Sequence, residues 1–149
     1  MNIIGREHEQ AELLRLRNSG ESEFVMVYGR RRVGKTFLIR QTLSKDFCFH
    51  MTGIANQKRE VQLQNFQRTM AHFSKRIAKT LPTDWFEAFE QLRQLVEQSK
   101  LKRKVIFLDE LPWMDTPKSK LVSALEHFWN DWASARNDIM LVVCGSAAS

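Results

Sequence analysis

An apolar run, Phe24-Val25-Met26-Val27-Tyr28, leads straight into Gly29-Arg30-Arg31-Arg32-Val33-Gly34-Lys35-Thr36, and a helix-forming stretch begins at once. Few folds accommodate that order. A strand must end near Gly29, the backbone must bend through conformations that favour glycine, and a helix must start near Gly34 and pack back on the sheet. The bend matches G-x-x-x-x-G-K-[ST] at every position, and its physics is that of an anion cradle. Successive N–H groups turn inward, and the positive end of the helix dipole adds to them. Lys35 is expected to reach β- and γ-phosphates, and Thr36 to offer a hydroxyl to Mg²⁺. Gly29, Arg30, Arg31, Arg32, Val33, Gly34, Lys35, Thr36 and Phe37 form the expected phosphate-binding set. The pattern selects phosphate; it does not separate adenine from guanine, nor hydrolysis from binding.

A second half to such a site is a strand ending in an acid, and Lys104-Val105-Ile106-Phe107-Leu108-Asp109-Glu110 supplies it. Four apolar residues suit a strand buried on both faces. Asp109 is the expected Mg²⁺ partner, acting through water because Mg²⁺ keeps part of its hydration shell in phosphate sites. Glu110, next in sequence but off the metal, is the expected group to polarise an attacking water.

The chain has 149 residues, fits one domain, and carries 23 Lys and Arg against 17 Asp and Glu. The resulting charge of +6 suits nucleic acid or a polyanionic small ligand. Basic residues gather in the phosphate loop, in Lys100-Leu101-Lys102-Arg103-Lys104, and between residues 68 and 79. The last two suit solvated faces, since no interleaved aromatics offer base stacking. Cys48 and Cys144 lie in apolar surroundings without a C-x-x-C partner and are expected as buried thiols. The four histidines have no metal-ligand spacing. No run approaches the roughly 20 apolar residues of a membrane span, and a cytoplasmic protein is expected.

Periodicity predicts helices over 7–17, 35–44, 57–80, 85–98 and 118–136, and strands over 23–28, 46–51, 104–109 and 139–144. Pro82 is expected to break the helix before it, and the helix over 118–136 to follow Pro112 and Pro117. The stripe Leu121, Leu125, Phe128, Trp129 and Trp132 is expected in the core. Alternation of strands and helices gives a three-layer α/β sandwich around a mainly parallel sheet, with ligand at the carboxyl ends of the strands. An uncovered phosphate-loop strand at the sheet edge would invite aggregation, so residues 1–149 are expected to be a nucleotide-binding core incomplete at its carboxyl end.

Four stretches together resemble the prokaryotic P-loop ATPases of the AAA+ and STAND assemblage, in particular the archaeal-type ATPases. They are Ile3-Ile4-Gly5-Arg6-Glu7-His8-Glu9, the arginine-rich loop, Asp109-Glu110-Leu111-Pro112-Trp113-Met114, and Cys144-Gly145-Ser146. The resemblance implies that Ile4, Gly5 and Arg6 pack near adenine and that Ser146 is a polar sensor near the γ-phosphate. It implies that the strand bearing Cys144 lies between the phosphate-loop and acidic strands, four of about five core strands being present here. A lid, a winged helix and an effector domain follow in such proteins. ATP and Mg²⁺ are the implied ligands, with Lys35, Glu110 and Ser146 as the catalytic set and Thr36 and Asp109 as the metal set.

The function expected is Mg²⁺-dependent ATP hydrolysis as the switch or motor core of a larger protein. DNA or a protein effector would be reached through the later domains, and a homo-oligomer is compatible. The alternative is a nucleotide- or DNA-binding module without catalysis. A small-molecule kinase lacks its arginine-rich lid here, and a regulatory GTPase lacks an N-K-x-D guanine motif. Arg136 is expected as a surface residue at a helix end rather than as an arginine finger.

Overall fold

Four strands form one parallel sheet in the computed structural model, which describes residues 7–29, 34–77 and 80–146. They are β1 (Glu23–Gly29), β2 (Phe47–Thr52), β3 (Lys104–Asp109) and β4 (Ile139–Ser146), side by side in the order β1-β4-β3-β2. β4 thus lies between the loop-bearing and acidic strands, as the resemblance implies. The inner strand β3 is buried at every residue. That explains why it is apolar throughout instead of alternating.

Side chains alternate across each strand, and so divide the core in two. On one face, Val105 and Phe107 of β3 and Met140 and Val142 of β4 meet α1 (Glu7–Arg17) and α2 (Lys35–Leu43). On the other, Ile106, Leu108, Leu141 and Val143 meet α3 (Arg59–Phe73), α4 (Trp85–Gln98) and α6 (Leu121–Asp131). The second cluster is much the larger, and Trp85 and Phe66 are sealed within it. Each such side chain contributes roughly 2–3 kcal/mol by leaving water. The sheet between two helical layers makes the three-layer α/β sandwich expected of a P-loop NTPase.

Where local signals are strong, elements fall where the sequence puts them. α4 begins at Trp85 because Asp84 caps it, its Oδ1 accepting from the Glu87 N–H at 2.8 Å. Other boundaries need correction. α3 ends at Phe73 rather than running to residue 80, because Ser74 is extended at φ −159° and Ile77 reaches the core from a turn instead. The helix expected over 118–136 begins only at Leu121, since Lys118 and Lys120 hold left-handed backbone at φ 62° and 60°. It stops at Asp131 and passes into a short 3-10 turn, Ala133–Ala135. Asp46 is not in β2 but in a 3-10 turn, where its carboxylate accepts Arg17 Nε at 2.6 Å and Nη2 at 3.0 Å.

Periodicity did not predict α5 (Leu111–Met114), a single helical turn directly after β3 with Pro112 in its first turn. A proline in the first turn lacks an N–H that would have had no partner there anyway. The aromatics expected in the core pack on it: Phe128 is buried, half-buried Trp129 meets Phe24 edge-on at 5.3 Å, and Trp132, just past α6, is half-buried against Phe128.

Candidate functional site

Of the two glycines of the strand-to-helix bend, Gly29 is the last residue of β1, and Gly34 has the backbone that the sequence predicts. Gly34 stands at φ 78°, ψ 20°, a left-handed position costly for any residue with a Cβ, and α2 starts directly after it. Its carbonyl accepts the Leu38 N–H at 2.9 Å, closing the first helical ring. Lys35 is buried at 6% exposure in the first turn of α2, with Thr36 and Phe37 half-buried beside it. Arg30, Arg31, Arg32, Val33, Ile4, Gly5 and Arg6 lie outside the described residues, and of Gly29 the backbone alone is described. A groove of about 390 Å³ runs from Lys35 between α1 and the outer edge of β1, walled by Leu13, Leu16, Val27, Tyr28 and Leu38.

Strand parity decides where the acids go. Asp109 shares a face with Val105 and Phe107, the face that carries α2, and so it projects toward the bend. It is 4% exposed, and Thr36 Oγ1 donates to its Oδ2 at 2.9 Å across 73 positions of sequence. Its other oxygen, Oδ1, accepts the Glu110 N–H at 2.9 Å. Glu110 sits outside the strand, half-buried, at φ 53°, ψ 48°. The expected loop lysine, loop threonine and strand-end acid are therefore assembled at the carboxyl ends of β1 and β3.

A family model described as an ATPase domain predominantly from Archaea matches residues 3–149. The chain belongs to this family of P-loop ATPases. Membership carries a general ATPase-type function, and with it nucleotide binding. The domain is 26% identical over 153 residues to the uncharacterised protein MJECL04 of Methanocaldococcus jannaschii, an alignment covering 99% of this chain and 30% of that protein. In fold it resembles the Walker-type ATPase PABY2304 of Pyrococcus abyssi, with TM-score 0.57, 19% identity, 94% of this chain and 44% of that one. Caenorhabditis elegans PCH-2 aligns at TM-score 0.45 and 16% identity over 95% of this chain and 36% of that one, too slight a likeness to argue from. The domain spans less than half the length of these relatives.

Within this ATPase domain, the β1–β4 register pairs Gly29 with Ser146, which brings the expected sensor position beside the bend; the Ser146 side chain is not among those described. Arg136 lies elsewhere. It precedes β4, at the amino ends of the strands, where its guanidinium grips Asp138 at 2.7 Å and stacks 5.2 Å from the Trp132 ring. With Asp109 at the opposite end of the sheet, Arg136 is structural within this chain.

Two residues lie near Asp109 whose place beside it was not expected from sequence: Cys144, expected only as a buried thiol, and His50. The Cys144 thiol, at the end of β4, is pushed up to about 12 first by burial and then by the Asp109 charge. His50 stacks on Phe107 with rings 4.7 Å apart, and its pKa is lowered by burial first and the Arg40 charge second, against the pull of Asp109. Strand parity would have found both. Cys144 and Phe107 face α2, and His50 pairs with Phe107 across β2 and β3. No helix among the described residues is long and apolar enough to cross a membrane.

Proposed function

We propose that this domain binds ATP with Mg²⁺ and hydrolyses it as the switch or motor core of a larger protein. The observation that carries the reading is the hydrogen bond from Thr36 to Asp109, which sets a hydroxyl and a buried carboxylate side by side at the mouth of the bend. Mg²⁺ prefers hard oxygens and completes its shell with water and substrate phosphate. Thr36 and Asp109 fit that chemistry, and no cluster of three or more His, Cys, Asp or Glu among the described residues offers an all-protein cage instead. The ion, when bound, supplies charge neutralisation at the β- and γ-phosphate oxygens.

The rest of the work falls to this chain. The amides between Gly29 and Gly34 cradle the phosphates, and Lys35 pairs with β- and γ-oxygens. Glu110 polarises a water whose oxygen bonds to the γ-phosphorus as the bond to the β,γ-bridging oxygen breaks, leaving ADP and phosphate. Ser146 senses the γ-phosphate, and the nucleoside end enters the groove between α1 and β1, with Ile4, Gly5 and Arg6 near adenine. The state of the nucleotide then sets domains beyond these residues, which act on DNA, on a protein effector or through a second copy of the chain.

Calorimetry and phosphate release test this directly. Lys35→Ala abolishes ATP binding, whereas Glu110→Gln keeps affinity within about twofold and loses turnover by at least ~100-fold. Equal ATP affinity in Lys35→Ala and wild type refutes the reading. Binding without turnover in the wild type points instead to a non-catalytic nucleotide module.

A further inference from the structure

The segment after Asp109 is pinned from both sides by glycines that sit outside the phosphate loop. Because β3 lies between β2 and β4, the single turn α5 must spread sideways across the ends of both neighbours. On the β2 side is Gly53, one residue past the strand, whose N–H donates to Asp109 O at 2.9 Å. A Cβ at this position would stand 2.7 Å from the Glu110 carbonyl oxygen, 2.8 Å from Met114 Cγ and 3.2 Å from Trp113 Cβ. On the β4 side is Gly145, where a Cβ would stand 2.8 and 2.9 Å from Cδ and Cγ of Pro112. Neither obstacle gives way easily, since one is backbone and the other a closed ring.

Between these notches Glu110 adopts a left-handed backbone at φ 53°, ψ 48°. Such a conformation is unfavourable for a residue with a Cβ and persists only where its surroundings over-determine it. Here they do. The Glu110 N–H is tied to Asp109 Oδ1 at 2.9 Å, its carbonyl accepts the Trp113 N–H at 3.0 Å, and Met114 is anchored in the larger core at 1% exposure. What then sets the place of the turn is how closely it lies on the sheet end, an approach that the missing side chains at Gly53 and Gly145 permit and a methyl group would forbid.

We infer that Gly53 and Gly145 are positioning residues for Glu110: they let Pro112, Trp113 and Met114 lie flat on the ends of β2 and β4, and so hold the Glu110 backbone beside Asp109. The inference rests on the hydrolytic reading for its consequence and on the packing alone for its geometry. Gly145 also adjoins Ser146, so the Gly145–Pro112 contact joins the end of the sensor strand to the acid-bearing turn.

The test is Gly145→Ala in the intact protein, alone and combined with Pro112→Ala, with Gly53→Ala as a parallel variant. Three quantities are read: ATP affinity, kcat, and exchange of the Trp113 amide. Gly145→Ala is expected to keep ATP affinity within about twofold while kcat falls roughly tenfold or more, since a displacement near 1 Å is enough to misalign a reacting group. Trp113 amide exchange should quicken by a similar factor. Pro112→Ala removes the ring that the new methyl strikes, so the double variant should recover most of both losses, which a general loss of stability would not do. Wild-type kcat and exchange in Gly145→Ala overturn the inference, and so does a defect that Pro112→Ala fails to relieve. If the wild type binds ATP without turning it over, the hydrolytic reading falls and the exchange comparison alone decides the notch.

Discussion

Truncating Gln62 to alanine should destabilise the domain far more than its place on a helix suggests. Gln62 is 0% exposed, yet its amide belongs to the loop after β2 rather than to the core. Its Oε1 accepts the Ile54 N–H at 3.1 Å, and its Nε2 donates to Ile54 O at 2.6 Å and to Gln57 O at 3.2 Å. The clasp thus replaces the partners that a strand would have supplied to Ile54. Gln62→Ala removes all three bonds at once, at about 1 kcal/mol each, for a loss of about 3 kcal/mol. Alanine's better helix propensity returns only a few tenths of that. For a chain of this size the loss corresponds to a fall of roughly 6–12 °C in Tm. Urea unfolding followed by circular dichroism and tryptophan fluorescence measures it. Asn65→Ala is the internal control, because Asn65 makes a single bond to Thr52 O at 2.8 Å and should cost about 1 kcal/mol or less. If Gln62→Ala costs no more than Asn65→Ala, the clasp does not hold the loop and the reasoning fails.

Acid sensitivity should depend on Asp138, whose pKa is lowered to about 2 by the Arg136 hydrogen bond first and by Lys104 after it. A carboxyl depressed on folding stabilises above its ordinary pKa and loses that contribution as pH falls from about 4 to 2, here about 2 kcal/mol. Asp138→Asn should therefore flatten the stability profile over that window, and an unchanged slope in urea titrations would contradict it. Cys48 and Cys144, both held at about 12 chiefly by burial, should react with a thiol reagent at pH 8 only as fast as the fold opens. Rapid labelling of either one in native buffer would show that its burial is overstated.

Much of this architecture was legible because several elements announce themselves locally. The apolar spacing over 85–98 marks α4, and the glycines and lysine of the loop mark the passage from β1 to α2. Strand order is another matter. Apolar runs do not say which neighbours they take, and only the family likeness implied that β4 enters between β1 and β3. The errors share one cause, residues whose backbone is set by distant contacts. Glu110, Lys118 and Lys120 adopt left-handed angles without being glycine, so no composition rule flagged the turn α5 or the late start of α6. Ser74 and Ile77 misled for a related reason, since a turn satisfied the spacing that a helix would also have satisfied. At the site, Thr36 and Asp109 were legible as types, and their meeting depended on strand parity. The purpose of Gly53 and Gly145 was hidden, because a steric gap has no signature until the atoms that fill it are in place.

The unequal cores on the two sides of the sheet determine where this domain can breathe. α1 and α2 rest on the thinner apolar layer, so fluctuations that lift them off should be cheaper than any that disturb α3, α4 and α6. A ligand bridging the start of α2 and the tip of β3 would rivet the weaker layer to the stronger one. Occupancy would then be written chiefly as a stiffening of one face, and the other face would serve as the rigid platform against which that stiffening is felt.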